Sequence, residues 1–128
     1  MPEELYEHRR SGDFPRLAAE RIADTTVATL ESRVVGFVTV INDELEEIYV
    51  DRKARGGEVA SALLRKAEAL IGANFDKAWL AVVAGNERAR RFYSRNGWRD
   101  AGLFSYSAQA ASGRVNVPCH RYEKDLKR

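Results

Sequence analysis

The segment from Arg52 to Val59 has the composition of a phosphate-binding turn. Basic residues precede the pair Gly56-Gly57, and an apolar helical pattern follows. The first turn of a helix exposes unpaired backbone N–H groups at the positive end of the helix dipole, an arrangement that binds phosphates. The glycines also fit an ordinary strand-to-helix turn, because glycine relieves backbone strain. The segment lacks both the dinucleotide fingerprint and the Gly-Lys-Ser/Thr of a nucleoside-triphosphate loop.

A second segment, Asn86 to Trp98, places polar groups along one face of a predicted short helix. Asn86, Ala89 and Tyr93 are three and four positions apart, so they share that face. Ala89 leaves space between the two polar side chains, which suits a narrow ligand lying along the helix. The alternative is a helix that packs Phe92 and Tyr93 into the core and uses Asn86 as its cap.

Other chemistry is poorly supported by the residue types. The single cysteine, Cys119, excludes an intrachain disulfide and favours a reducing cytosol. Its neighbour His120 should point to the opposite face of a strand, which argues against a catalytic Cys-His pair. With only one further histidine, His8, the chain offers no metal-ligand cluster.

Composition indicates one soluble globular domain over residues 1–128, with 45% hydrophobic and 31% charged residues. A net charge of +2 is too small to indicate nucleic acid as a partner. The longest apolar stretch, Val34 to Ile41, is too short to span a bilayer. The N-terminus lacks the pattern of a signal peptide, so the expected location is cytoplasmic, without a membrane partner.

The elements that must position the two segments form a mixed α/β pattern around one sheet. Predicted strands cover Thr25–Leu30, Val34–Ile41, Glu44–Val50, Ala78–Ala84, Trp98–Tyr106 and Val115–Lys124, and predicted helices run from the glycine turn to Ile71–Gly72 and from Glu87 to Arg95. The uninterrupted apolar strand before Asn86 should be covered on both faces. The small-residue stretch from Tyr106 to Arg114 is predicted as a loop.

Two local patterns need particular interpretation. Asp13 and Pro15 resemble a helix start, and Leu17, Ala18 and Ile22 then give a helical stripe. In the strand Glu44–Val50, the apolar residues Leu45 and Ile48 are three positions apart, so they would lie on opposite faces of a regular strand. A β-bulge near Glu46-Glu47 would bring them to the same face. Partial burial of both faces is the alternative.

Together, the two segments resemble those of the GNAT superfamily, the acyl-CoA-dependent N-acyltransferases. The turn Arg55 to Ala60 is similar to that family's R/Q-x-x-G-x-G/A pyrophosphate loop, and Asn86 to Trp98 is similar to its N-x-x-A-x-x-F-Y-x-x-x-G-F/W segment. The order of the elements also matches over roughly residues 25–126. The resemblance implies a single mixed, mainly antiparallel sheet flanked by helices, and acetyl-coenzyme A as cofactor.

The resemblance also implies a set of coenzyme contacts. Backbone N–H groups of the turn would hold the pyrophosphate, and the strand ending at Val50 would pair with the pantetheine arm in a gap before the next strand. Asn86 would hydrogen-bond the pantetheine. The implied cofactor-binding residues are Ile48, Tyr49, Val50, Arg55, Gly56, Gly57, Glu58, Val59, Ala60, Ser61, Asn86, Ala89 and Tyr93.

The implied reaction is direct attack of a primary amine, of a small molecule or a protein, on the thioester. Tyr93 would protonate the leaving thiolate, and a backbone N–H near Val50 would stabilise the oxyanion. Glu46 and Glu47 are candidates for the base, with Glu47 preferred. A solvated acidic strand face is the alternative, and the cluster Asp43 to Glu47 would also attract a cationic amine.

Two features depart from the family pattern. Glu58 replaces the expected glycine. Its carboxylate would lie close to the negatively charged diphosphate of the coenzyme and would repel it. The N-terminal region is short, with one predicted helix and no clear first strand, and a second copy of the chain in a homodimer could cover an exposed sheet edge.

These departures keep a second function open, namely a non-catalytic acyl-CoA-binding or regulatory domain. RNA binding through the arginine-rich helix Arg88–Arg95 is poorly supported, because no RNP-type aromatic strand is present. A simpler interpretation of these arginines is a solvated helix face near the 3′-phosphate of the coenzyme. The acceptor amine is not identified by any motif, although the loop from Tyr106 to Arg114 and the N-terminal region are expected to determine it.

Overall fold

The strands of the protein form one mixed sheet in a computed structural model that describes residues 3–4, 17–55 and 58–126. The elements are β1 (Glu3–Glu4), β2 (Leu17–Ile22), β3 (Thr25–Leu30), β4 (Arg33–Ile41), β5 (Glu44–Val50), α1 (Val59–Gly72), β6 (Lys77–Val83), α2 (Glu87–Arg95), β7 (Arg99–Ala110) and β8 (Gly113–Asp125). The eight strands lie in the order β1-β2-β3-β4-β5-β6-β8-β7. Among the described strands, only β5 and β6 pair in parallel. The predicted fold class is therefore confirmed.

The helix predicted from the stripe of Leu17, Ala18 and Ile22 is wrong, because Leu17–Ile22 is strand β2. It pairs antiparallel with β3 through a two-residue turn in which Ala23 has φ 54°. Along β2, Ala19 is buried opposite Ala28, whereas Glu20, Arg21 and Ile22 are exposed. Pairing with β3 outweighed the local helical spacing. The predicted helix start at Asp13 to Pro15 lies outside the described residues.

Helix α1 connects the parallel neighbours β5 and β6 and covers one face of the sheet. It buries the residues Val59, Ala62, Leu63, Leu64, Ala67 and Ile71. A Cβ placed on Gly36 of β4 would lie 3.1 Å from Leu63 Cδ1, so this glycine allows close packing of helix and sheet. Within the described residues, no helix is long and apolar enough to cross a membrane.

The opposite face of β6 is only partly covered, which corrects the prediction of burial on both faces. Ala78, Leu80 and Val82 are at most 5% exposed on the α1 side, whereas Val83 on the other side is 52% exposed. Part of that second face lies under the β7–β8 hairpin, where Trp79 of β6 contacts the rings of Phe104 and Tyr106.

The hairpin also corrects the predicted loop from Tyr106 to Arg114. Strands β7 and β8 stay paired up to Ala110 and Gly113, and a two-residue turn joins them. Gly113 has φ 110°, a conformation that glycine adopts without strain. The small side chains before Gly113 are thus compatible with a continuous ladder of hydrogen bonds between β7 and β8.

Candidate functional site

An open cleft of about 900 Å³ lies between the end of β5, the start of α1 and the side of α2. Its lining residues are Ile48, Tyr49, Val50, Arg55, Ala60, Ser61, Asn86, Arg88, Ala89, Arg91, Phe92, Tyr93, Arg95 and Asn96. Four of these described residues are arginines and none is acidic. The cleft therefore favours an anionic ligand.

The cleft opens where β5 and β6 separate. The two strands pair only at Glu44 and Trp79 in the described residues. At the other end of β5, the N–H of Asp51 donates to the Val35 carbonyl of β4 at 2.7 Å. Because successive backbone groups alternate in direction along a strand, Val50 and, two residues earlier, Ile48 direct theirs away from β4, toward the gap.

The turn after β5 is held by its own side chains. Asp51 accepts a hydrogen bond from the N–H of Lys53 at 3.3 Å, and Arg55 Nε donates to the Val50 carbonyl at 3.2 Å. Gly56 and Gly57 lie outside the described residues. Glu58 is exposed at the N-cap of α1, and its side chain makes no capping hydrogen bond. Ala60 and Ser61 in the first turn of α1 line the cleft, so the positive end of the helix dipole lies at its edge.

Helix α2 forms the other wall of the cleft and is capped as the sequence predicts. Asn86 Oδ1 accepts a hydrogen bond from the N–H of Ala89 at 3.2 Å. Gly97 follows the helix with φ 88°. The side chain of Asn86 thus serves the helix as its cap while the residue lines the cleft, so the two interpretations of Asn86 are compatible.

Tyr93 is the only buried residue of α2 in the described structure. It is 6% exposed, and its ring lies among Phe92, Trp98 and Tyr122, with centroids 5.2 to 6.2 Å away. Its hydroxyl has no hydrogen-bond partner within the described residues. Burial raises the pKa of Tyr93 to about 12, so the phenol stays protonated at neutral pH.

The β-bulge predicted in β5 is confirmed. Thr39 pairs with Glu47 and Val40 with Leu45, which leaves Glu46 as the extra residue. Glu47 shares a sheet face with Tyr49, on the side away from α1, and does not line the cleft. Both Glu46 and Glu47 are exposed.

The two acidic residues before the bulge have structural partners. Asp43 accepts a hydrogen bond from Trp79 Nε1 at 3.1 Å, and Glu44 accepts one from the Tyr106 hydroxyl at 2.5 Å. Desolvation and Glu44 together raise the pKa of Tyr106 to about 12. The acidic cluster of the sequence therefore divides into two residues that accept hydrogen bonds from β6 and β7 and two that face solvent.

Most of the predicted site residues meet in the cleft. Those that line it are Ile48, Tyr49, Val50, Arg55, Ala60, Ser61, Asn86, Ala89 and Tyr93. Among the predicted coenzyme contacts, Val59 lies in the core, 4% exposed, and Glu58 does not line the cleft. Phe92 and Asn96 were not predicted, although both lie three or four positions from predicted contacts on α2.

Comparisons with known proteins match the chain to one family model and to solved structures of similar fold. The family model described as "Acetyltransferase (GNAT) family" matches residues 2–98. No curated protein matches the chain. A GCN5-related N-acetyltransferase from Rhodopseudomonas palustris has a similar structure, with TM-score 0.66 and 20% identity over 79% of this chain. The chain spans only 60% of that protein's length.

Two further solved structures are similar. Arabidopsis thaliana Naa50, in complex with the bisubstrate analogue CoA-Ac-MVNAL, has TM-score 0.65 and 20% identity, covering 79% of this chain and 72% of its own. Nourseothricin acetyltransferase has TM-score 0.68 and 25% identity, covering 88% of this chain and 72% of its own.

Proposed function

Because the chain belongs to the acetyltransferase (GNAT) family, we propose that it is a cytoplasmic N-acetyltransferase that transfers an acetyl group from acetyl-coenzyme A to a primary amine. The cleft beside Tyr93 supports this proposal. It is lined by arginines, flanked by the start of α1 and bordered by the gap next to β5.

The cleft fits coenzyme A in both charge and backbone chemistry. N–H groups at the start of α1, with Ala60 and Ser61, would hold the pyrophosphate. The outward-facing backbone groups of Ile48 and the carbonyl of Val50 would pair with the amides of the pantetheine arm, and Asn86 would contact its other side. Bound coenzyme would supply the acetyl thioester.

Tyr93 would donate a hydrogen bond, and then its proton, to the leaving sulfur. A neutral phenol that has no competing partner among the described residues suits that role, because its hydroxyl is available to the ligand. The N–H of Val50 would stabilise the negative charge that develops on the thioester oxygen. The amine would attack directly, and no covalent enzyme intermediate is needed.

The proposed base is Glu47, which would remove a proton from the amine directly or through water. The residue shares a sheet face with Tyr49, which lines the cleft, so an amine approaching through the gap between β5 and β6 would come from this side. We expect Glu47→Gln to lower kcat/KM by about 10²-fold, because an amide accepts no proton.

Glu46→Gln is the matched control, since Glu46 is the adjacent exposed carboxylate at the bulge. The measurement is kcat/KM against pH for both variants and the wild type. A Glu47→Gln profile that matches the wild type would remove Glu47 from the mechanism.

The proposed function is tested first by binding and then by turnover. Acetyl-CoA at 100 times its Kd should stabilise the folded protein by about 2.7 kcal/mol, seen as a raised unfolding midpoint. Thiol release is then measured with an alkyl diamine, lysine, an aminoglycoside and a peptide with a free N-terminus. Binding without turnover on any amine would favour the non-catalytic acyl-CoA-binding domain, and absence of both would contradict the proposal.

Glu58 is expected to weaken the binding of acetyl-CoA at the start of α1. Its carboxylate is exposed at the start of α1, where the pyrophosphate would lie. We expect Glu58→Gly to tighten acetyl-CoA binding by on the order of 1 kcal/mol, about fivefold in Kd, because like charges repel at a partly exposed site. Calorimetric titration measures the change, and Glu58→Gln isolates the part due to charge. Weaker binding by Glu58→Gly would contradict this expectation.

A further inference from the structure

Helix α2 has little apolar surface to hold it against the sheet. Of its nine residues, only Tyr93 is buried in the described structure, and Glu87, Arg88, Arg91, Ser94 and Arg95 are exposed. A helix this short is not stable by itself. Its position, and with it the position of the Tyr93 phenol, must depend on contacts other than a broad apolar face.

Arg90 provides such contacts on the side of α2 away from the cleft. Its guanidinium donates to the Tyr122 hydroxyl of β8 at 3.2 Å, to the Ala84 carbonyl after β6 at 3.4 Å and to Asp100 of β7 at 3.2 Å. One side chain therefore joins α2 to β7, to β8 and to the segment that follows β6. Arg90 lines a different hollow, of about 430 Å³, and does not line the coenzyme cleft.

The acceptors of Arg90 are themselves held in place. Asp100 also accepts from the N–H of Gly102 at 2.9 Å and lies 3.0 Å from His120 Nδ1. Hydrogen bonds from Gly102, His120 and Arg90 lower the pKa of Asp100, so its carboxylate is ionised opposite the guanidinium. A planar guanidinium with several fixed donors suits this triple contact, which a lysine could not reproduce.

Tyr122 links this arrangement to the proposed acid. It is 2% exposed, its hydroxyl accepts from Arg90, and its ring packs against Tyr93 with centroids 6.2 Å apart. Arg90 and Tyr93 lie three positions apart on α2, so they are neighbours on the helix as well. We propose that Arg90 is a positioning residue that acts through Tyr122 and Asp100 to hold Tyr93 at the reacting sulfur. This inference rests on the proposed function.

The first test replaces the guanidinium with an apolar side chain of similar length. We expect Arg90→Met to lower kcat by about 10²-fold, because a displacement of roughly 1 Å in a reacting group has an effect of that size. KM for acetyl-CoA should stay unchanged, since Arg90 does not line the coenzyme cleft. Arg90→Lys should recover only part of kcat.

A matched control removes another ion-paired arginine next to the same carboxylate. Arg99 lies beside Asp100 on β7 and pairs with Glu123 and Asp125, at 3.1 and 3.6 Å. Arg99→Met should keep the kcat of the wild type. Tyr122→Phe removes only the hydroxyl that Arg90 contacts and should lower kcat in the same direction as Arg90→Met, without leaving a cavity.

A second readout is independent of activity. In protein labelled at the tyrosine Cζ carbons, the Tyr93 resonance is assigned by its loss in Tyr93→Phe. We expect that resonance to shift in Arg90→Met and to stay in place in Arg99→Met. An unchanged Tyr93 resonance in folded Arg90→Met would overturn the positioning role and leave the proposed function standing. A shifted resonance with wild-type kcat in both Arg90→Met and Tyr93→Phe would instead contradict the acid role of Tyr93, and the positioning role would fall with it.

Discussion

Replacing Tyr93 by phenylalanine is expected to lower kcat by about 10²- to 10⁴-fold, the usual contribution of a positioned general acid. The ring remains, so its packing against Trp98 and Tyr122 is retained. The hydroxyl has no partner within the described residues, so its removal leaves no protein donor or acceptor unpaired. Acetyl-CoA binding, measured by calorimetry, should therefore change little while the chemical step slows.

The pKa of Tyr93 adds a pH criterion to this experiment. Because burial raises the pKa to about 12, the folded protein keeps the phenol protonated where a free tyrosine begins to ionise. The wild-type rate should thus show no loss near pH 10 from ionisation of the acid. Above pH 10 the unfolded chain ionises this tyrosine first, so its raised pKa lowers the stability of the folded state as pH increases toward 12.

Tyr106→Phe is the matched control for loss of a phenol hydroxyl. Burial and Glu44 raise its pKa to the same value, about 12, but Tyr106 does not line the cleft. The kcat of Tyr106→Phe at saturating amine should match that of the wild type. If Tyr93→Phe also keeps the wild-type kcat, Tyr93 is not the acid.

Replacing Gly36 by alanine is expected to destabilise the fold and weaken coenzyme binding together. A Cβ at this position of β4 would lie 2.5 Å from the Tyr49 carbonyl oxygen, 3.1 Å from Leu63 Cδ1 and 3.3 Å from Val50 Cα. The nearest of these atoms belongs to the backbone and cannot rotate away. Relief of the clash must move β5 or α1, the two elements that border the cleft.

We expect a loss of about 1–3 kcal/mol in the free energy of unfolding, the usual cost of overpacking. The denaturant midpoint measures this loss, and calorimetry measures the accompanying rise in the Kd of acetyl-CoA. Gly85→Ala is the matched control, because a Cβ at Gly85 meets no atom within 4 Å. Its stability should stay within about 0.5 kcal/mol of the wild type. Equal denaturant midpoints for Gly36→Ala and Gly85→Ala would show that β5 or α1 can move without loss of stability, which would contradict this prediction.

The sequence predicted those parts of the site whose signals are local. The bulge near Glu46 follows from the phase of Leu45 against Ile48, and the structure has it between the pairs Thr39–Glu47 and Val40–Leu45. Helix α2 runs from Glu87 to Arg95 as predicted, because a cap residue and a C-terminal glycine mark its ends.

The wrong predictions occur where pairing with a distant partner competes with a local pattern. Leu17 to Ile22 has helical spacing but forms a strand, because β3 offers it a full ladder. Ala108 to Ala110 has loop composition but belongs to β7, since β8 pairs along its whole length. In both cases the deciding hydrogen bonds come from another strand.

The sequence by itself determined which groups are available for chemistry and which elements carry them, because helix periodicity, caps and glycine turns are properties of neighbouring residues. Only the tertiary structure decided how those groups meet. Because β5 separates from β6 after a single paired position, the backbone groups of Ile48 and Val50 face the cleft that Tyr93 lines and do not pair with β6. The contacts of Arg90 with Tyr122 and Asp100 likewise join elements far apart in the chain. Such placement depends on long-range strand pairing and packing, whose energies no local pattern contains.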